Sequence, residues 1–363
     1  MAENSNLEDF ERTLRSCDKS LPEGRLRLED LEETTRALVA EGKGILAADE
    51  SNGTASSRLS DVGVDADPET RRVYRQLLFT TEGLGEYISG TILYDETIRQ
   101  AADDGTPFVN VLEKQGIIPG IKVDTSTAPL ALHPDEKITT GLDGLRDRLQ
   151  EYTGLGGRFG KWRSVIQIGD GMPTQACIDA NSQAMARYAA YCQEAGVVPF
   201  NEPELLMDGD HTIEEAEEVT EVMLRSLYRE LVIHGVHLEG TILKTNMVLP
   251  GTESGQSASP EQVAEATVRC LRRVVPAAVG GIAFLSGGQD AVRATENLNA
   301  VNQIGPHPWR TTFSYARALQ GPALDAWKGD SANVEQAQQA LLHRARCNAA
   351  ASMGQYSSDM EEG

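Results

Sequence analysis

An eight-stranded (β/α) barrel is the fold class that this sequence predicts, and three observations carry it. Apolar runs of strand length recur eight times, segments of helical periodicity lie between them, and the alternation holds over most of the chain. An open doubly wound sheet is the alternative, but it would ordinarily use fewer strands. At 363 residues, with 40% hydrophobic and 24% charged content, the chain can form one large domain or two ordinary ones.

The elements follow in order. After an acidic start, Leu28, Leu31, Thr35 and Leu38 recur at helical spacing, so residues 1–40 are predicted as a helical extension with a linker. Strand-like runs then appear at Gly44 to Ala48, Tyr87 to Tyr94, Gly116 to Val123, Trp162 to Ile168, Val197 to Phe200, Leu238 to Leu243, Gly281 to Leu285 and Thr311 to Tyr315. Thr174 to Glu194, Ile213 to His234 and Pro260 to Val274 have helical periodicity. The expected layout is a (β/α)8 TIM barrel in one domain over 1–363, with the barrel at 41–330 and a C-terminal helix and short tail at 331–363. Gly154, Gly156, Gly157 and Gly160 precede a strand instead of joining a strand to a helix, so they read as turn residues and not as a nucleotide loop.

Composition narrows the function classes. A formal charge of −22 disfavours nucleic acid and anionic membranes as partners, while a few basic groups can still make a pocket for a small anion. No apolar run approaches membrane-spanning length and the first residues are acidic, unlike a signal peptide, so a cytoplasmic location is expected. Cys17, Cys177, Cys192, Cys270 and Cys347 are dispersed, which argues against a disulfide framework and a zinc site. His234 and His237 come nearest to ligand spacing but flank a glycine in a short turn; no metal and no cofactor is expected.

Active sites of such barrels lie at the C-terminal ends of the strands, and residues two apart on a strand share a side. The strand ends here offer Asp49 with Ser51, Lys122 with Asp124, Glu202 with Glu204, and Lys244 with Asn246. Lys161 and Arg163 stand at the start of their apolar run, so either that strand begins earlier or the pair faces elsewhere. Only eight of the 33 basic residues are lysine. A lysine, unlike an arginine, can lose its proton and act as a nucleophile. Placing Lys244 near Lys161 in a partly buried site favours free amine able to attack a ketone and form an iminium, an electron sink for carbon–carbon cleavage. Asp49 and Glu202 fit the accompanying base and acid roles. Ser286-Gly287-Gly288 and Ser314-Tyr315-Ala316-Arg317, at the last two strands, have the backbone amides, hydroxyls and guanidinium of a phosphate cup.

These residues bring a family into view. Gly-Lys-Gly-Ile-Leu-Ala-Ala-Asp-Glu-Ser (42–51), Gly-Ile-Lys-Val-Asp (120–124), Lys-Trp-Arg (161–163), Glu-Pro-Glu (202–204), Leu-Glu-Gly-Thr-Ile-Leu-Lys (238–244), Phe-Leu-Ser-Gly-Gly-Gln (284–289) and Phe-Ser-Tyr-Ala-Arg-Ala-Leu (313–319) resemble class I fructose-bisphosphate aldolase, in family order across nearly the whole chain. The resemblance implies that Lys244 forms a Schiff base with the ketose, Asp49 takes the C4 hydroxyl proton, Glu202 serves carbinolamine chemistry and Lys161 stabilises charged intermediates. It implies that Ser286, Gly287, Ala316 and Arg317, with Ser314 beside them, meet one phosphate. Ser51, Thr54 and Lys122 would meet the other, with Arg58, Arg163 and Glu204 as neighbours. It also implies that Lys161 and Arg163 face the barrel mouth, that the substrate is a phosphorylated sugar, and that the chain forms a homotetramer. Another phosphorylated ketose, or a non-catalytic scaffold, are the competing readings.

Four departures qualify the resemblance. Thr245 stands where the family usually has proline, Ala316 where it has glycine, and Ser57 where many relatives have lysine, so the second phosphate site is expected to hold one cation fewer. Many relatives end in a mobile tail with a terminal tyrosine, whereas Tyr356 here reads as a tyrosine before such a tail.

Overall fold

The computed structural model describes residues 28–362; Cys17 and most of the 1–40 extension lie outside the described residues. Among the described residues there are ten strands: β1 (Gly44–Ala48), β2 (Ile88–Leu93), β3 (Ile118–Lys122), β4 (Ser126–Leu130), β5 (His133–Thr140), β6 (Phe159–Ile166), β7 (Val198–Leu205), β8 (Ile242–Thr245), β9 (Gly281–Phe284) and β10 (Thr311–Tyr315). Eight of them close into a parallel barrel in the order β1-β10-β9-β8-β7-β6-β3-β2, and β4 and β5 form a separate antiparallel hairpin. Closure leaves the barrel no free sheet edge.

Alternation along the strands decides what fills the barrel. Ile45, Ala47, Ile92, Phe159, Val198, Phe200, Ile242 and Ala283 pack together inside it. Their opposite neighbours join the larger core between barrel and helices. Phe159 and Phe200 meet with ring centroids 4.8 Å apart. A Cβ on Gly120 would sit 2.3 Å from the Phe159 ring, so glycine in β3 is what lets that ring occupy the barrel centre. The same inner layer sets the site, because the residue two places beyond Ala47, Phe159, Phe200 and Ile242 is Asp49, Lys161, Glu202 and Lys244 respectively. Leu31, Leu38 and Val39 join the inner cluster from the N-terminal helix Leu28–Leu38 and the residue after it, whereas Leu28 itself is exposed.

The helices are punctuated by side-chain caps. Thr174 accepts from the Cys177 amide at the start of Gln175–Glu194, and reciprocal capping boxes open Ile213–Ile233 (Thr212 with Glu215) and Pro260–Val274 (Ser259 with Gln262).

Several strand ends differ from expectation. β6 begins at Phe159 instead of Trp162, which removes the ambiguity over Lys161, and Gly160 is a strand residue and not part of the turn. β7 continues to Leu205 instead of stopping at Phe200; charged residues are tolerated there because they face the barrel mouth, where counter-charges meet them. Leu238–Gly240 is a 3₁₀ turn, held by a hydrogen bond from Thr241 Oγ1 to the Leu238 carbonyl, and β8 starts only at Ile242. The β4–β5 hairpin had no clear sequence signal, since Ser-Thr-Ala-Pro-Leu is polar and contains proline.

Candidate active site

Four charges are threaded through the barrel mouth. Lys161 Nζ lies 2.6 Å from Asp49 Oδ2 and 3.0 Å from Glu202 Oε2, while Lys244 Nζ lies 2.8 Å from Glu202 Oε1. β8, β7 and β6 are adjacent strands, so Lys244, Glu202 and Lys161 are neighbours by topology; Asp49 reaches in from the end of β1. All four are less than a tenth exposed. Burying them is tolerable because two cations alternate with two anions.

Electrostatics fixes most of their protonation. Burial pushes the Asp49 carboxyl up, but Lys161 first and Lys244 second outweigh it and hold its pKa at about 2. Glu202 is likewise raised by burial and pulled below the ordinary carboxylate value by Lys161 and Lys244. Burial works against the charge on Lys161, yet Asp49 and Glu202 hold its pKa above the ordinary lysine value. Lys161 is therefore a fixed cation. The amine crowding suggested by the sequence is not direct, because Glu202 turns one oxygen to each lysine. Its Oε2 is buried without a hydrogen-bond partner, so the Lys161 contact is an ion pair that leaves this oxygen able to accept a proton.

A second ring of polar groups surrounds the four. Lys122 Nζ lies 2.7 Å from Asp124 Oδ1, 3.0 Å from the Asp124 carbonyl, and 5.9 Å from the Tyr94 ring centroid. Asp124 also accepts from the Arg163 amide, and the Arg163 guanidinium pairs with Glu204. Ser51 caps the helix Asn52–Asp61 by accepting from the Thr54 amide, and the Ser51 and Thr54 hydroxyls lie 3.1 Å apart. A helix N-terminus carrying two hydroxyls suits an anion. Arg58 is placed differently from expectation: its guanidinium pairs with Glu50, which also takes Arg75 at 2.6 Å. Asn246 is not a mouth residue with Lys244, since its side chain accepts from the Leu205 amide and donates to the Met247 carbonyl. Thr245 fits beside the lysine fully buried, with its hydroxyl donating to the Pro203 carbonyl at 3.4 Å.

The loop after β9 and the end of β10 form the other side of the mouth. Gly288 has φ +75°, a conformation that favours glycine. Among the described residues, the amides of Gly287, Gly288, Ala316 and Arg317 donate to no protein acceptor. Ala316 precedes the helix Arg317–Trp327, Ser314 is buried with its Oγ unpartnered, and the exposed Arg317 has no ion-pair partner among the described residues.

Other sequence candidates lie elsewhere. His237 pairs with Glu32 and Glu239, and His234 with Glu230, so the two do not share a site. The one trio of metal-ligand type among the described residues is His343, Cys347 and Glu361, at the C-terminal segment; there Glu361 already pairs with Arg344 and accepts from Tyr356 at 2.8 Å. The phenol of Tyr356 is thereby tied to its own segment. Cys177, Cys192, Cys270 and Cys347 are free and buried. Sequence reasoning missed Glu50, which lacked any spacing signal, and Gln289 and Asn297, whose partnership across a turn and a helix shows only in three dimensions.

Comparison with known proteins gives one consistent result. The family model described as class I fructose-bisphosphate aldolase, under the heading Glycolytic, matches residues 30–363. A probable fructose-bisphosphate aldolase class 1 of Xylella fastidiosa (strain Temecula1) is 54% identical over 332 residues, covering 91% of this chain and 99% of that protein. Fructose-bisphosphate aldolase 4, cytosolic, of Arabidopsis thaliana is 51% identical, covering 89% of this chain and 82% of that one. Among solved structures, a fructose-bisphosphate aldolase from Plasmodium falciparum superposes with a TM-score of 0.91 at 46% identity, covering 94% of this chain and 98% of that one.

Proposed function

Because the chain belongs to the class I fructose-bisphosphate aldolases, lyases that reversibly cleave fructose 1,6-bisphosphate to dihydroxyacetone phosphate and glyceraldehyde 3-phosphate, we propose that Asp49, Lys161, Glu202 and Lys244 are its catalytic residues. The observation that carries this is their continuous, buried chain of ion pairs at the barrel mouth.

In this reading Lys244 gives a proton to Glu202, its free amine adds to the C2 carbonyl, and Glu202 shuttles the protons that turn the carbinolamine into an iminium and water. Asp49, ionised throughout the neutral range, accepts the C4 hydroxyl proton. The C3–C4 bond then breaks, its electron pair moves into the iminium to give an enamine, and glyceraldehyde 3-phosphate leaves. Protonation of the enamine at C3 and hydrolysis release dihydroxyacetone phosphate and restore Lys244. Lys161, a permanent cation beside both carboxylates, offsets the negative charge that gathers as these protons move.

The ketone-side phosphate is assigned to Ser286, Gly287, Ala316 and Arg317, with Ser314 beside them; free amides and an unpaired guanidinium support this. The aldehyde-side phosphate is assigned to Ser51, Thr54 and Lys122. Arg163 and Glu204 line the mouth as a pair, and Arg58 takes part only if it leaves Glu50. We also propose that the enzyme is a cytoplasmic homotetramer; the cytosolic Arabidopsis relative supports the location, and no helix among the described residues is long and apolar enough to cross a membrane.

Cleavage coupled to glyceraldehyde 3-phosphate detection tests the assignment of Lys122. Lys122→Ala should raise KM for fructose 1,6-bisphosphate roughly tenfold or more, the loss of about one charge-assisted hydrogen bond. The KM for fructose 1-phosphate should hardly change. Equal effects on both ketoses would remove Lys122 from the phosphate site.

A further inference from the structure

We propose that Gln289 and Asn297 are positioning residues that aim the phosphate-binding amides of the loop after β9. The inference rests on the assignment of the ketone-side phosphate to that loop and extends it to two side chains that do not touch substrate.

The Ser286 carbonyl accepts twice from Gln289, from its amide N at 3.0 Å and from its side-chain Nε2 at 2.9 Å. A carbonyl can only accept, so Nε2 must face it, and Gln289 Oε1 is left facing the helix Ala291–Gln303. There Asn297 Nδ2 donates to it at 2.6 Å. The amide orientations in this relay are thus fixed by its end group.

Holding that carbonyl also aims the amide next to it. In a trans peptide the C=O and the following N–H point in opposite directions. Clamping the Ser286 carbonyl toward Gln289 therefore sends the Gly287 N–H the other way, and the Gly287 and Gly288 amides meet no protein acceptor among the described residues. The φ of +75° at Gly288 belongs to the same turn. An anion bound by preset amides does not have to organise them.

Asn297 has the marks of a group held for placement and not for packing. It is fully buried on its helix, and its Oδ1 has no hydrogen-bond partner, a burial that works against stability. A leucine would fill similar space without the orphaned Oδ1, but it would take away the donor to Gln289 Oε1.

The test is steady-state cleavage of fructose 1,6-bisphosphate, with inorganic phosphate as competitor, by Asn297→Leu, Gln289→Met and the double variant, alongside Arg317→Ala. Each single relay variant should raise KM and the phosphate inhibition constant about tenfold, with kcat changed less than threefold. The double variant should be no worse than either single one, because Asn297 acts through Gln289. Unchanged KM and inhibition constant, or effects of the two substitutions that simply multiply, would overturn the relay even if melting temperature falls. Gln289→Met alone decides the matter if Asn297→Leu does not fold. Unchanged phosphate affinity in Arg317→Ala would instead overturn the phosphate assignment itself, which keeps the two failures apart.

Discussion

Glu202 stands between two buried lysines and pairs with both, and Asp49 completes the balance by pairing with Lys161. With the roles proposed for these residues, such an arrangement ties catalysis to stability, because removing one member leaves a charge buried without its partner. Asp49 has the clearest pH consequence. Its pKa in the folded protein, about 2, lies below the ordinary 3.8, so its contribution is present above about pH 4 and is lost as pH falls toward 2. In acid unfolding followed by circular dichroism, Asp49→Asn should flatten the dependence of stability on pH between about 4 and 2 relative to wild type. An unaltered slope would mean that Asp49 is not held by Lys161. At this scale the sequence was readable where chemistry and alternation coincide: Lys244 is two residues beyond Ile242, and Glu202 two beyond Phe200. Arg58 was not readable, because its commitment depends on Glu50, which is shared with Arg75 and has no local signature.

Elements position these residues by what ends them. Helices at the mouth start on capped turns, and caps can be separated from catalysis. Ser259 accepts from the Gln262 amide within a reciprocal capping box. Ser259→Ala should cost about 1 kcal/mol in urea unfolding. It should leave kcat/KM unchanged, and a fall in kcat/KM would show that this helix start is coupled to the site. Helix limits were legible here because Ser-Pro and Thr-Ile-Glu-Glu are local signals; Pro260–Val274 has the expected bounds. Strand limits were less legible. The apolar run at Leu238 looks continuous with β8, but a hydroxyl and a glycine fold its start into a 3₁₀ turn, while β7 extends through charges that only the barrel mouth can accommodate.

For the whole molecule, the barrel joins a packed interior to a charged mouth, with Leu31 and Leu38 of the N-terminal helix packed into the inner cluster. Eight strand-like runs were enough to suggest closure, but the hairpin β4–β5 lies outside the repeat and came from no periodic signal. Part of the outer surface is apolar: Val222, Val232 and Ile233 on the helix Ile213–Ile233 are 43%, 51% and 66% exposed. Packing them between copies would fit the proposed tetramer. Sedimentation velocity at micromolar concentration should give a particle of four chains; a monomer would refute that assembly.

The proposed mechanism depends above all on a covalent bond between Lys244 and the ketose. Incubation with dihydroxyacetone phosphate and sodium borohydride, followed by peptide mapping, tests it most directly. One reduced adduct is expected on the peptide containing Lys244, and none in Lys244→Met. An adduct on another lysine, or undiminished trapping in Lys244→Met, would contradict it.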